Sequence, residues 1–354
     1  DHRDLHSFPT RRSSDLEGQI NMSITAKELA QLLNLSTASV SVALNGKPGV
    51  STATRKRILT AAHEYGYDFS ASTKEGKLTG TIYYVRYVSY SSPQEAPFFS
   101  YLASSLDKEI PAKGYKYKSI KILEDADFDN NLEKIKYSDC AGILLLGTDI
   151  SSDRLKSFLA LGFPLVLMDT WFNTVPVNCV KVNNLQGAYL ATEYLIKKYK
   201  CQPGYLQSSL RLYNYEERFI GYTQALEKYR MSVRNSDINI TLPNMYGAQA
   251  DMNDILMYKN QFARCYIADT DAQAVGAMMA FQSRGYKTPE DIAFVGFDNS
   301  FYSENSHPGL STIDAYPSCM AEASLNRLLD MIKGGFDIPV KIEIGTSLIE
   351  RGSA

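Results

Sequence analysis

From Thr81 onward the chain alternates short runs rich in β-branched and aromatic residues with amphipathic stretches of helical period. That alternation constrains the fold more than any other feature. Strands are predicted over 82–88, 118–122, 141–146 and 164–168, with helices between them beginning near Phe99, Asp129 and Ser152. A second series is expected to start at Val180. It runs helix 185–198, strand 204–207, helices 216–229 and 248–259, strand 265–268, helix 272–283 and strand 292–297. Strands joined through helices pair in parallel, with helices covering both faces of each sheet. Two such series predict two similar lobes, and ligands in folds of this kind sit at the carboxyl ends of the strands, facing the cleft.

The 354 residues leave room for two or three domains. No apolar run approaches the roughly 18 residues needed to span a membrane, and no secretory signal pattern is expected at the start. Cys140, Cys179, Cys201, Cys265 and Cys319 are scattered without paired spacing. That argues against a metal cluster or disulfide framework and predicts buried free thiols in a reducing cytoplasm. The opening "DHRDLHSFPTRRSSDL" has no apolar period and resembles a translated sequencing adapter, so residues 1–21 are set aside as a non-native leader and Met22 is the expected start. Residues 23–80 carry seven Lys/Arg against four Asp/Glu, a net of +3 in a chain whose total is −2. A basic head on an acidic body hints at an anionic partner for the head.

Within the head, Thr25 is placed to cap a helix whose Ala26, Leu29, Ala30 and Leu33 share one face. Ser36 caps a second helix that turns Val40, Ala43 and Leu44 inward and Thr37, Ala38, Ser41, Val42 and Asn45 outward. Asn45-Gly46 and Pro48-Gly49 end it with turn chemistry. Ser51 caps a third helix expected to send Ile58, Leu59, Ala62 and Tyr65 to the core, closed by Gly66. Two short helices with a tight turn, the second slim and hydroxyl-rich, suit a helix-turn-helix entering the major groove. Hydroxyls there meet phosphate oxygens and methyls meet thymine edges. An ordinary three-helix bundle with a polar surface would carry the same pattern.

Residues 23–67 resemble the DNA-binding head of the lactose-repressor (LacI/GalR) family, through the "IT.KELA" opening and the "S...VS.ALN.KPGVS..TR.RI..AA...GY" run. The resemblance implies phosphate contacts for Thr25, Ser36, Ser39, Ser41 and Asn45, with Lys47 in the same surface, and base-edge contacts for Thr37 and Ala38. Where the family often has Arg, this chain has Val42, which implies a thymine methyl contact in place of guanine reading. The body matches too, through "PFF" at 97–99, "AGILLLG" at 141–147, "PLVLMD" at 164–169, "N...R..GY" at 214–222, "DTDAQAVGAM" at 269–278 and "PEDIAFVGFD" at 289–298. The implied fold is a helix-turn-helix head (22–68), a linker (69–80) and a two-lobed α/β body of periplasmic-binding-protein type (81–354). The family's three crossings between lobes imply that helix 317–333 returns to the first lobe and strand 340–344 to the second.

By the same resemblance Asp169, Arg218 and Asp298 grip ligand hydroxyls, Phe98, Phe99 and Trp171 wall a sugar ring, and Thr270 stands where the family has Asn. Asp169 and Asp298 could instead cap loops, Arg218 could form a structural ion pair, and the phenylalanines could be core. Two departures, Thr270-Asp271 and Asn183-Asn184, change the donor pattern of the cleft. The implied function is a cytoplasmic, homodimeric transcriptional repressor binding operator DNA and a small effector, a carbohydrate, with no cofactor. A sugar receptor without a regulatory role is the alternative, against which the head argues. An enzyme is not expected: no phosphate loop or nucleophile elbow is present, and His63 and His307 have no signed partner. The linker "DFSASTKEGKLTGT" lacks the family's proline and arginine, so an unstructured hinge is expected. Leu78 comes too late to wedge into the minor groove, and Lys74 and Lys77 would track the backbone.

Overall fold

The computed structural model describes residues 24–44, 50–67, 80–89, 96–125, 127–334 and 338–354. The leader, Asn45, Lys47 and the linker residues Lys74, Lys77 and Leu78 lie outside that set, as does the side chain of His63. Two compact units emerge, the head and the body.

The head is three helices, α1 (Ala26–Leu33), α2 (Thr37–Leu44) and α3 (Thr52–Glu64). Thr25 and Glu28 form a reciprocal capping box: the Thr25 hydroxyl accepts from the Glu28 amide at 3.2 Å, and the Glu28 carboxylate accepts from the Thr25 amide at 2.8 Å. Leu29, Ala30, Leu33, Val40, Ala43, Leu44, Ile58, Leu59 and Ala62 close one small core. Each large buried side chain there contributes roughly 1.5–3 kcal/mol. Tyr65 does not join it. The helix ends at Glu64, Gly66 turns the chain at φ +65°, and Tyr65 is left half exposed while Tyr67 packs on the core.

The body holds two six-stranded sheets. The first contains β1 (Thr81–Val88), β2 (Lys116–Leu123), β3 (Cys140–Leu146), β4 (Leu165–Met168), β5 (Asn178–Val182) and β11 (Lys341–Ile344), in the order β11-β5-β4-β3-β1-β2, all parallel. Helices α4 (Pro97–Ala112), α5 (Phe128–Lys136), α6 (Ser152–Leu159) and α12 (Pro317–Ile332) belong to this lobe. The second sheet contains β6 (Gly204–Ser208), β7 (Ile238–Thr241), β8 (Cys265–Ala268), β9 (Ala293–Asp298), β10 (Ser311–Asp314) and β12 (Ser347–Ile349), in the order β12-β10-β9-β8-β6-β7. Only the β10–β12 pair is antiparallel. Its helices are α7 (Asn184–Tyr199), α8 (Tyr213–Lys228), α9 (Met245–Tyr258), α10 (Asp271–Ser283) and the short α11 (Phe301–Asn305).

Two placements differ from expectation. The strand at Val180 closes the first sheet and does not open the second. The strand expected over 340–344 in the second lobe is β11, and it too lies in the first sheet, beside β5. The reason is local: β5 would otherwise present an open edge, and Asn178 binds the incoming chain. Its Oδ1 accepts from the Val340 amide at 3.0 Å and from Arg327 Nε of α12 at 2.8 Å. The chain then crosses to the second lobe at Gly345-Thr346, where Gln186 Oε1 accepts from the Thr346 amide at 3.0 Å. Strands β7, β10 and β12 gave no readable period in the sequence, being three or four residues each with polar residues among them, unlike the equally short but wholly apolar β4.

Glycines set how close the second lobe's helices approach. A Cβ on Gly221 of α8 would sit 2.2 Å from the Leu185 carbonyl oxygen of α7, and one on Gly276 of α10 equally close to the Met245 carbonyl of α9. Gly221→Ala is therefore expected to destabilise the body by about 1–3 kcal/mol, because backbone on both sides must move. Urea unfolding of the variant beside the parent measures this; an unchanged midpoint would mean the helices can separate freely.

Candidate functional site

The carboxyl ends of both sheets face one cleft, and a cavity of about 40 Å³ lies there. Its walls include Phe98, Phe99, Asp169, Arg218, Thr270 and Asp298, so six of the seven residues predicted for the cleft come together. Thr148, Val182, Leu212, Asn214 and Tyr215 also line it. Trp171 does not. It borders a neighbouring cavity of about 410 Å³ with Arg211 and Tyr213, where its ring meets Tyr213 edge-on and the Lys341 ammonium lies 4.0 Å from its centroid.

Asp169 follows β4 in the left-handed region, at φ 70°, and Asp298 ends β9 at φ 112°. Both conformations are costly for residues with a Cβ, of order 1–3 kcal/mol, and such strain concentrates at binding sites. Asp169 accepts from Thr148 Oγ1 at 2.6 Å and from Asn214 Nδ2 at 3.0 Å. The second of these bonds spans the cleft, since Asn214 begins α8 of the other lobe. Asn214 Oδ1 is itself buried with no hydrogen-bond partner among the described residues. Burial lifts Asp169 to about 6, against the pull of Thr148, Arg218 and Asn214. It lifts Asp298 to about 8, opposed by Arg218 and reinforced by the Asp271 and Asp169 carboxylates.

Arg218 is the fixed cation. Its Nε donates to Asn184 Oδ1 at 3.0 Å, Nη1 donates to the Asp269 carbonyl, and Nη2 reaches Asp298 Oδ1 at 3.4 Å. The Phe297 ring lies 3.7 Å beneath the guanidinium carbon. The partner weighed for Arg218 is thus present, an ion pair once Asp298 ionises, and it is the very carboxyl group that lines the cavity. Thr270 caps α10, accepting from the Gln273 amide at 3.1 Å. Asp271 beside it is buried and accepts from the Ser300 amide at 2.6 Å, so it braces the loop after Asp298. Asn184, second of the Asn183-Asn184 pair, holds Arg218.

Glu217 was not read from the sequence. It is buried on α8 and accepts from Lys181 Nζ of β5, from Trp171 Nε1 at 3.3 Å and from Asn184 Nδ2 at 3.1 Å. Lys181 and Trp171 belong to the first lobe, so this carboxylate ties the lobes together; Glu343 of β11 completes the cluster at 3.0 Å from Lys181. The available signal was a second charge adjacent to Arg218 on a helix face turned inward. Thr148 could have been found by its position just past the end of β3, as Asp169 was past β4.

In the head, Thr25, Ser36, Thr37, Ala38 and Ser41 are exposed, while Ser39 and Val42 are half buried. Ser36 caps α2, accepting from the Ser39 amide at 3.1 Å, and the two hydroxyls lie 2.8 Å apart. Part of the basic character serves the fold: Arg55 and Arg57 donate to the Ala43 and Leu33 carbonyls, at 2.9 Å each, closing the ends of α2 and α1.

Comparison with known proteins agrees with both parts. Residues 25–69 match the family described as bacterial regulatory proteins, lacI family, and residues 194–354 match a periplasmic binding protein-like domain. The head is thus that of the lacI family of bacterial regulatory proteins. Similar relatives include the HTH-type transcriptional repressor PurR of Mannheimia succiniciproducens, 27% identical over 93% of this chain and 98% of that one. The ribose operon repressor of Haemophilus influenzae is 26% identical over 87% and 91%. Among solved structures, the transcriptional regulator CelR–cellobiose complex superposes with a TM-score of 0.69 at 22% identity, covering 94% of this chain and 100% of that one. The lac repressor dimer bound to operator and an anti-inducer gives 0.69 at 18%, covering 93% and 98%. Likeness at that level establishes the fold. Among the described residues, no helix is long and apolar enough to cross a membrane, and no cluster of His, Cys, Asp or Glu could hold a metal ion.

Two measurements follow from the electrostatics. An unfolded aspartate ionises near 4, whereas folded Asp298 keeps its proton to about 8. Between those values the folded state binds more protons, so its stability falls as pH rises. The parent is expected to melt progressively lower from pH 5 to pH 8.5, and Asp298→Asn to flatten that slope, gaining about 2 kcal/mol or more at the alkaline end. A variant with the parent's slope would remove Asp298 as its source. The second measurement is a double-mutant cycle. Lys181→Met leaves Glu217 buried without its cation and is expected to cost about 3–5 kcal/mol, much of which Lys181→Met with Glu217→Gln restores. Additive losses would mean the pair is not coupled.

Proposed function

We infer that the protein is a transcriptional repressor, working as a homodimer, whose operator affinity is set by a small carbohydrate bound between the lobes. The observation that carries this reading is the convergence of Asp169, Asn214, Arg218 and Asp298 on one cavity, in a chain that also carries a helix-turn-helix. Carboxyl, amide and guanidinium groups bind vicinal hydroxyls in pairs, which fixes orientation as well as energy. Phe98, Phe99, Val182 and Leu212 supply the apolar wall. Asn214 Oδ1, buried and without a partner among the described residues, is free to accept a hydrogen bond from a ligand hydroxyl. The cavity's 40 Å³ is small beside the roughly 300 Å³ or more of typical ligand pockets, so a sugar is expected to bind with the lobes further apart. The ribose and cellobiose named in the relatives set the scale of ligand to try first.

For the head, the reading assigns phosphate contacts to Thr25, Ser36, Ser39 and Ser41 and base-edge contacts to Thr37, Ala38 and Val42. Two heads are needed, because one small module buries too little surface for tight binding. The divisions at 22–68, 69–80 and 81–354, and a cytoplasmic location, belong to the same reading.

The test has two arms. Selection from genomic fragments should yield a palindromic duplex whose affinity falls steeply with salt as phosphate counterions are released; no preference over random DNA at moderate salt removes the assignment. A thermal-shift screen of sugars and nucleobases should then find the effector. Arg218→Ala and Asp298→Ala should each weaken its binding about tenfold to a hundredfold while leaving operator affinity nearly unchanged. Parent-like responses in both variants would place the effector elsewhere.

A further inference from the structure

Far from the cleft, the second lobe carries a pair of thiols that none of the preceding chemistry uses. Cys201 lies in the short link between α7 and β6, and Cys265 is the first residue of β8. Gly204 of β6 pairs with Tyr266, the residue after Cys265, so the entry into β6 runs beside the start of β8. The two thiols lie close enough for each to perturb the other, and neither is in a disulfide. Cys265 is fully buried, whereas Cys201 is partly exposed and borders a cavity of about 520 Å³ on the outer face of the lobe.

Arg264 is built into the same spot. Its Nη2 donates to the carbonyls of Pro289 and Glu290, at 2.9 Å each, and its guanidinium carbon lies 4.6 Å from the centre of the Tyr199 ring. With those contacts fixing it, its Nη1 is buried without a hydrogen-bond partner among the described residues. The contact with Cys265 holds the Cys201 thiol below the ordinary range, and the Arg264 charge adds to that pull. The same contact, with burial, pushes Cys265 up. Exposure at the cavity edge beside Arg264 therefore singles out Cys201 as the thiol that more readily gives up its proton, and burial keeps Cys265 protonated behind it.

We propose that Cys201 and Cys265 form a reversible dithiol–disulfide site, with Cys201 the thiol attacked by peroxide and Cys265 the one that resolves it. The Cys201 thiolate attacks one peroxide oxygen, the O–O bond breaks, and a sulfenic acid and hydroxide result. The Cys265 sulfur then attacks the sulfenic sulfur as its proton moves to the departing oxygen, and water leaves as the S–S bond forms. Two thiols lose two electrons in all, and one peroxide becomes two waters. A cellular dithiol reverses the step by exchange.

Cys319 is the internal control, being exposed on α12 of the other lobe, contrary to the expectation of buried thiols throughout. With accessibility alone in force it would react first. In the full chain at pH 7, iodoacetamide is expected to alkylate Cys201 about threefold faster than Cys319, from its larger thiolate fraction offset by lower nucleophilicity. Arg264→Gln should slow Cys201 and leave Cys319 unchanged. Stoichiometric hydrogen peroxide should then give a Cys201–Cys265 linked peptide pair, reversed by dithiothreitol, and Cys265→Ala should stop at the Cys201 sulfenic acid, trapped by dimedone. Cys319 reacting first, or oxidised Cys201 without the linked pair in the parent, would overturn the proposal; if Arg264→Gln fails to fold, the Cys265→Ala arm decides it alone.

Discussion

Glu217 and Arg218 sit side by side on α8, both buried, and the polar groups of the cleft depend on them. Arg218 steadies Asp298 and the Asp269 carbonyl within the second lobe. Glu217 reaches across to Lys181 and Trp171 of the first. Asn184 stands between the two, its Oδ1 accepting from Arg218 and its Nδ2 donating to Glu217. A buried ion on one helix is thereby satisfied by residues from both lobes. Burying these charges costs more than their attraction returns unless every partner is present. The arrangement therefore favours one relative position of the lobes, and a ligand that alters it shifts a balance between two states.

Much of this was legible from residues alone. Alternating strand and helix patterns are strong where segments are long, as in the run that became β3, or the one that became α7. They fail for β7 and β10, where polar residues break a four-residue run, and for the three-residue β12, whereas the equally short β4 stands out as an unbroken apolar run. The lobe to which β5 and β11 belong was misread because strand pairing is a long-range choice. What decided it was Asn178, whose side chain captures the backbone of Val340 some 160 residues later in the chain. The sequence holds no local trace of that bond.

The cleft divides in the same way. Asp169 and Asp298 were found because each ends a strand, which fixes where a side chain can go. Thr148 occupies an equivalent place past β3, Asn214 reaches the cleft from the first turn of α8, and Glu217 was hidden because its partners come from three separate segments. Trp171 drew attention as the single tryptophan. Its indole N–H is taken by Glu217, and that bond, with Lys341 at 4.0 Å from the ring centre, places it in the lobe-to-lobe cluster beside the main cavity.

The central claim is that Glu217 holds the lobes in register. A distance measurement between spin labels at Asp153 of α6 and Tyr258 of α9, both strongly exposed and on opposite lobes, tests it most directly. Without ligand, the parent is expected to give one narrow distribution, and Glu217→Gln a broader one shifted to longer separation. Superimposable distributions would show that the lobes keep their position without this carboxylate, and would contradict the account.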